Sequence, residues 1–174
     1  MAGYGLSKEF HLSSVLQESL LKRGYDLEII NASVSGDTTT GGLNRLDWLI
    51  DDNEIDIIVL CLGANDMLRG IKPSLIRQNL SKILEKLKKK NIKIVFAGML
   101  SQDTFGEAYK KQFDNIFPEL AKKYKVAFVP FLLDGVALNP KYNLSDGKHP
   151  NYEGIRLISK NLEKKIIQII QNIN

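Results

Sequence analysis

Apolar and polar residues follow two different periods along this chain. Four short runs are mostly apolar: Leu27–Asn31, Ile55–Leu62, Ile92–Ala97 and Val126–Val129. Runs of this length, rich in β-branched side chains, read as strands, and near-continuous ones suit a parallel sheet buried on both faces. Between them apolar residues recur at helical spacing. A first helix, with Ser7 placed to cap it, turns Phe10, Val15, Leu16 and Leu20 inward. A second is marked by Leu43, Leu46, Trp48, Leu49 and Ile50. A third begins near Pro73, a residue suited to a first turn, and carries Leu75, Ile76, Leu80, Ile83, Leu84 and Leu87. A fourth runs from about Gly106 to Tyr124, with Pro118 expected to kink or break it. A fifth follows Asn151 and carries Ile155, Leu157, Ile158, Leu162, Ile166, Ile167 and Ile170, and its end, Ile166–Asn174, is expected to fray. Strands alternating with helices predict an α/β fold, a parallel sheet covered on both faces. One feature departs from that pattern. The chain opens with a loop and a helix, whereas doubly wound folds open with a strand whose C-terminal end carries part of the site.

At 174 residues the chain is long enough for one domain, 1–174, with its own core. No repeat, linker or low-complexity tract divides it. The net charge is +4, and much of the lysine lies in Lys86–Lys90. That run reads as the solvated end of the third helix, where cations suit the dipole. It has no interleaved aromatic residues, which argues against a nucleic-acid surface. Cys61 is the only cysteine, so an internal disulfide and a Cys-based zinc site are excluded, and its apolar neighbours mark it as a small core residue. No segment is long and apolar enough to span a membrane, and the N-terminus lacks the basic-then-apolar pattern of a secretion signal.

In a parallel α/β sheet, ligands bind beyond the C-terminal ends of the strands. The loops at that edge are Asn31 to Gly42, Gly63 to Asp66, Gly98 to Asp103 and Pro130 to His149, and they concentrate small and polar residues. Asp146 lies three residues before His149. On a tight turn that spacing lets the carboxylate accept a hydrogen bond from Nδ1–H, which fixes the imidazole tautomer and leaves Nε2 free as a base. Gly36 lets a backbone N–H approach a ligand with no Cβ in the way, and Asn65 offers an amide donor. Together they could polarise a carbonyl oxygen as an oxyanion hole; equally, Gly36 and Gly63 serve as turn glycines and Asn65 caps a turn. Asp37 and Asp66 either tie loops together through backbone N–H groups or, with Asp146, hold a divalent cation. Phe105, Phe131, Leu132 and Val136 either line an apolar groove or belong to the core.

Asn31-Ala-Ser-Val-Ser-Gly-Asp-Thr, Gly63-Ala-Asn-Asp and Asp146-Gly-Lys-His-Pro, in that order, resemble blocks II, III and V of the SGNH (GDSL-type) hydrolases. The intervening Leu68-Arg69-Gly70 resembles the small bacterial branch of multifunctional thioesterases, arylesterases and lysophospholipases. The resemblance covers essentially the whole chain. It implies a three-layer α/β/α, flavodoxin-like fold, and hydrolysis of a small acyl ester or thioester through an acyl-enzyme, with no metal and no organic cofactor. It implies that His149 is the general base and Asp146 its orienting acid. By the same resemblance Gly36 and Asn65 donate to the oxyanion, and Met67, Leu68, Arg69, Gly70 and Ile71 form a mobile loop beside the acyl site.

That family's nucleophile is a serine in a Gly-Asp-Ser-Leu block at the end of the first, central strand, and the block is absent here. Met1 to Leu6 resembles the residues that follow it. The resemblance therefore implies a domain lacking its N-terminal strand and its nucleophile, and a sheet in which Leu27–Asn31 and Ile55–Leu62 are separated by a slot or pair directly. Ser7, Ser33 and Ser35 have no nucleophile's place in the family pattern. The expected activity is that of an ester or thioester hydrolase, silent in this chain as it stands. The alternatives are a non-catalytic module that binds an acyl or carbohydrate group on the same fold, and a flavodoxin-like nucleotide or flavin binder. Against the last, Gly3-Tyr4-Gly5 is no phosphate fingerprint and follows no strand. Compartment stays open: cytoplasmic for the chain as given, periplasmic or secreted with an upstream signal peptide.

Overall fold

The computed structural model describes residues 3–52 and 54–172. Its helices are α1 (Leu12–Lys22), α2 (Thr39–Asp51), α3 (Ala64–Leu68), α4 (Pro73–Lys89), α5 (Glu107–Tyr124) and α6 (Tyr152–Gln171). Its strands are β1 (Ile57–Leu60), β2 (Lys93–Ala97) and β3 (Ala127–Val129). The chain divides into two compact units, one of Met1–Ser35 with Leu132–Asn174 and one of Gly36–Phe131.

The Gly36–Phe131 unit holds the sheet. Its strands are parallel in the order β1-β2-β3, with Ile57 opposite Lys93 and Phe96 opposite Phe128. Parallel neighbours need long crossovers, and α4 and α5 supply them. Pro73 opens α4 at its first turn. Ile76, Leu80, Ile83, Leu84 and Leu87 then form a fully buried stripe. Phe113, Ile116, Phe117 and Leu120 of α5 and Leu46 and Ile50 of α2 join it in one core with Ile94 and Phe96 of the sheet. Burying a side chain of this size is worth roughly 1.5–3 kcal/mol, so this stripe fixes the crossover. The Lys86–Lys90 run ends α4 as expected, and Lys86 and Lys90 also reach across to Asp47 and Asp51 of α2 at 2.6 and 2.8 Å. Pro118 does not break α5, which runs unbroken from Glu107 to Tyr124. The proline sits on the exposed face of the helix. Of the apolar residues that mark α2 and α4, Trp48 and Leu75 face solvent.

In the other unit α1 packs along α6. Leu12, Leu16 and Leu20 are buried on α1, and Ile155, Ile158, Leu162 and Ile166 on α6. Glu163, buried on α6, accepts a hydrogen bond from the Ser19 hydroxyl at 2.5 Å and pairs with Arg23. Ser7 precedes a 3₁₀ turn, Lys8–Phe10, without a side-chain cap, and Phe10 stays partly exposed. Ile173 and Asn174 lie outside the described residues.

Leu27–Asn31 is not a strand. Burial alternates along it, with Leu27 and Ile29 half-buried and Glu28 and Ile30 exposed. No strand pairs with it among the described residues. Gln17 of α1 serves its backbone instead: the amide NH₂ donates to the Leu27 carbonyl, and the amide oxygen accepts the Ile29 N–H at 2.8 Å. The described sheet thus has three strands, and β1 is an edge, its Ile57, Ile58 and Val59 only half-buried.

Candidate active site

Asp146 and His149 share one turn in the unit that contains α1 and α6. An antiparallel bridge between Asn143 and Pro150 closes the turn, and the Leu144 N–H donates to the His149 carbonyl at 2.7 Å. Gly147 takes a positive φ of 67° at the bend, a conformation that favours glycine. One oxygen of Asp146, Oδ1, accepts the backbone N–H groups of Lys148 at 2.8 Å and His149 at 3.0 Å. The other, Oδ2, accepts Nδ1–H of His149 at 2.7 Å. The His149 backbone N–H, its ring and the Lys148 N–H all favour the charged carboxylate, in that order, and hold the Asp146 pKa well below the usual carboxylate range. With Nδ1 as donor, Nε2 is the atom left to exchange a proton. The His149 side chain is 47% exposed, and among the described residues no hydroxyl is hydrogen-bonded to it. Buried Asn143 fixes the approach to the turn by donating to the carbonyls of Val136 and Asn139 at 2.7 and 2.8 Å. Past Pro150, Asn151 caps α6 by accepting the Gly154 N–H at 3.0 Å.

Gly36, Asn65 and Met67–Ile71 lie in the sheet-bearing unit, and α3 stitches them together. Asn65 donates from its amide to the Asp37 carbonyl at 2.9 Å, and Arg69 donates to the Gly36 carbonyl at 2.8 Å. An amide NH₂ has two N–H donors, so Asn65 keeps one. Gly36 has φ +75°. Asp66, fully buried, accepts the Thr39 N–H and hydroxyl, while Asp37 accepts the Arg45 guanidinium at 2.8 Å. Both carboxylates are therefore loop ties. Met67 and Leu68 end α3. Leu68, Arg69 and Gly70 are exposed, and the Tyr109 hydroxyl holds the far end of the segment by donating to the Ile71 carbonyl at 2.9 Å. Burial, and then the charge of Asp66, push the Tyr109 pKa up, so the phenol keeps the proton it donates.

Thr39, Asn79 and Tyr109 escaped the sequence reading. Asn79 carried the best signal, a polar residue within the apolar stripe of α4. It is buried and donates to the hydroxyls of Thr39 and Thr40 at 3.1 and 2.9 Å. Of the groove candidates, Leu132 and Val136 are buried core residues, and Phe105 packs against Tyr109 with ring centroids 5.5 Å apart.

The GDSL-like lipase/acylhydrolase family model matches residues 1–157. An arylesterase of Vibrio mimicus is 36% identical over 167 residues, covering 96% of this chain and 84% of that protein. Thioesterase 1/protease 1/lysophospholipase L1 of Escherichia coli K12 is 30% identical over 171 residues, covering 98% and 81%. The crystal structure of TesA superposes with a TM-score of 0.89 at 33% identity, over 95% of this chain and 92% of that one. An α/β fold with helices around a parallel sheet, and a family match over most of its length, make this chain a member of the GDSL-like (SGNH) lipase/acylhydrolase family, among carboxylic ester and thioester hydrolases.

Proposed function

We propose that this chain carries the proton-transfer and carbonyl-polarising groups of an ester or thioester hydrolase that works through an acyl-enzyme. Asp146 orients His149, whose Nε2 takes the nucleophile's proton and passes it to the leaving group. The Gly36 N–H and the remaining N–H of Asn65 stabilise the charge that develops on the acyl oxygen. Met67, Leu68, Arg69, Gly70 and Ile71 border the acyl chain, with exposed Leu68 as its apolar contact. The substrate is a small acyl ester or thioester. No serine of this chain takes the nucleophile's part, so the chain alone does not turn over by the serine route. The observation carrying this reading is the 2.7 Å bond from His149 Nδ1 to Asp146, on a carboxylate already clamped by two backbone N–H groups. Relatives named arylesterase and thioesterase support the substrate class.

Short p-nitrophenyl esters test it, offered to this chain and to the same chain preceded in frame by a Gly-Asp-Ser-Leu strand segment. Turnover is expected only in the second, lowered by Asn65→Ala about 10²–10³-fold, as for loss of one oxyanion donor. Turnover by the chain as it stands would show that it has its own nucleophile. Turnover by neither would favour an acyl- or carbohydrate-binding module.

A further inference from the structure

Gly3-Tyr4-Gly5 has no place in the chemistry described so far, and neither does the chain's other histidine, His11. The structure connects them. Gly3 and Gly5 have φ of +75° and +72°, and the Leu6 N–H closes the turn on the Gly3 carbonyl at 3.0 Å. Both glycines are also sites of close approach. A Cβ on Gly3 would run into the imidazole of His11, and one on Gly5 would lie 2.9 Å from Cδ1 of Leu144. His11 Nε2–H donates to the Leu6 carbonyl at 3.1 Å. The turn is therefore braced by His11 on one side and Leu144 on the other. Leu144 is the residue whose N–H holds the His149 carbonyl, so the brace reaches the loop that carries the base. A second contact ties the same stretch down: the rings of Phe10 and Tyr152 lie 4.7 Å apart, and Tyr152 opens α6 three residues after His149. At the tip of the turn the Tyr4 ring lies over His149, centroids 4.4 Å apart and planes inclined by 31°.

We propose that Tyr4 is a positioning residue for His149, its ring covering one face of the imidazole and holding the rotamer in which Nδ1–H donates to Asp146. The proposal rests on the reading of His149 as the base. Asp146 fixes one atom of the ring. At a half-exposed site water competes for that single bond, and the ring can still swing about its two χ angles. An aromatic face removes the swing. It also suits the proton transfer, because an imidazolium beside a π face is attracted to it. The phenol oxygen takes no part, since the ring faces alone make the contact. A ring of this kind favours the held rotamer by about 2- to 10-fold, the range for one aromatic pair.

The test needs no turnover, so an esterase assay that fails bears on the proposed function and not on Tyr4. The full chain is prepared with ¹³C,¹⁵N-histidine, and His149→Gln identifies which ring signals belong to His149. In the wild type, His149 is expected to show a protonated Nδ1, a bare Nε2, and ring protons moved upfield by the Tyr4 ring current. Tyr4→Phe is expected to keep all three. Tyr4→Leu is expected to lose the upfield shift and to mix the two tautomers. Unchanged His149 signals in Tyr4→Leu, or a loss in Tyr4→Phe as complete as in Tyr4→Leu, would overturn the proposal. Should Tyr4→Leu fail to fold, the wild type decides: an NOE between the Tyr4 and His149 rings upholds the stack, and its absence overturns it.

Discussion

Asp66 grips Thr39 with both carboxylate oxygens, Oδ2 on the backbone N–H at 2.9 Å and Oδ1 on the hydroxyl at 2.6 Å. Asp66 and Thr39 are both fully buried, and this pair fixes the start of α2 against α3. Asp66→Ala leaves two buried donors without an acceptor. At about 1–3 kcal/mol for each unsatisfied group, the loss from the two should be roughly 2–6 kcal/mol. Asp66→Asn keeps one acceptor oxygen and should lose about half as much. Urea unfolding at unchanged m-value measures both. Equal losses would mean that the carboxylate's charge, and not its two acceptors, holds the loop.

The Asp146 carboxylate sets a pH limit on its turn. Its pKa in the folded chain lies below the ordinary value of 3.8 because three N–H groups favour its charged form. A carboxylate depressed by folding contributes stability that is fully present above its unfolded pKa and is lost as pH falls through its folded pKa. The stability that the Asp146 carboxylate contributes, read against Asp146→Asn, should therefore be lost only as pH falls below about 4. The ¹³C signal of the Asp146 carboxyl should titrate with a midpoint below 3.8. A midpoint at or above that value would show that the clamp is not formed in solution.

How far such features could be read in advance depends on how local they are. The pairing of Asp146 with His149 was legible because every bond that the Asp146 carboxylate makes there spans three residues or fewer. Asn79 and Thr39 lie forty residues apart and meet only through the packing of α4 on α2, so their pairing leaves no spacing to read. Leu27–Asn31 shows the other limit. Its apolar composition suits a strand, but a strand also needs a neighbour, and Gln17 takes the neighbour's part. Ile55–Leu62 has the composition of a strand buried on both faces, yet β1 sits at the edge of the described sheet and its Ile57, Ile58 and Val59 are half-buried. Composition reports what a segment can bury, and the ladder decides what is actually covered.

Trp48 makes the same point with a measurable consequence. It is one of the apolar residues that mark α2, but the helix turns Leu46 and Ile50 to the core and leaves Trp48 71% exposed. Trp48→Ala should change stability by no more than about 0.5 kcal/mol, as surface substitutions do. Leu80→Ala, at a position with no exposure, should cost about 2–5 kcal/mol. Trp48 is the only tryptophan, so its emission reports this position alone and should be readily quenched by acrylamide. A protected tryptophan would mean that something covers this face of α2 in solution.

Gly154 sits in the first turn of α6, where helix propensity alone favours alanine over glycine by about 0.8–1 kcal/mol. Packing opposes it. A Cβ there would run into the Tyr142 carbonyl and lie 3.1 Å from Cβ of Pro150 and 3.2 Å from Cγ1 of Val136. The Tyr142 oxygen cannot move aside, since it accepts the Asn151 N–H at 2.9 Å and so ties the His149 loop to the helix start. Overpacking of this kind costs typically about 1–3 kcal/mol, which exceeds the propensity gain over most of that range. Gly154→Ala should therefore destabilise the chain in chemical denaturation. It should also broaden or shift the His149 ring signals, because the displaced carbonyl belongs to the strap that carries them. A stabilised variant with unchanged His149 signals would show that the strap yields at no cost, and that the turn bearing Asp146 and His149 is not anchored through Gly154.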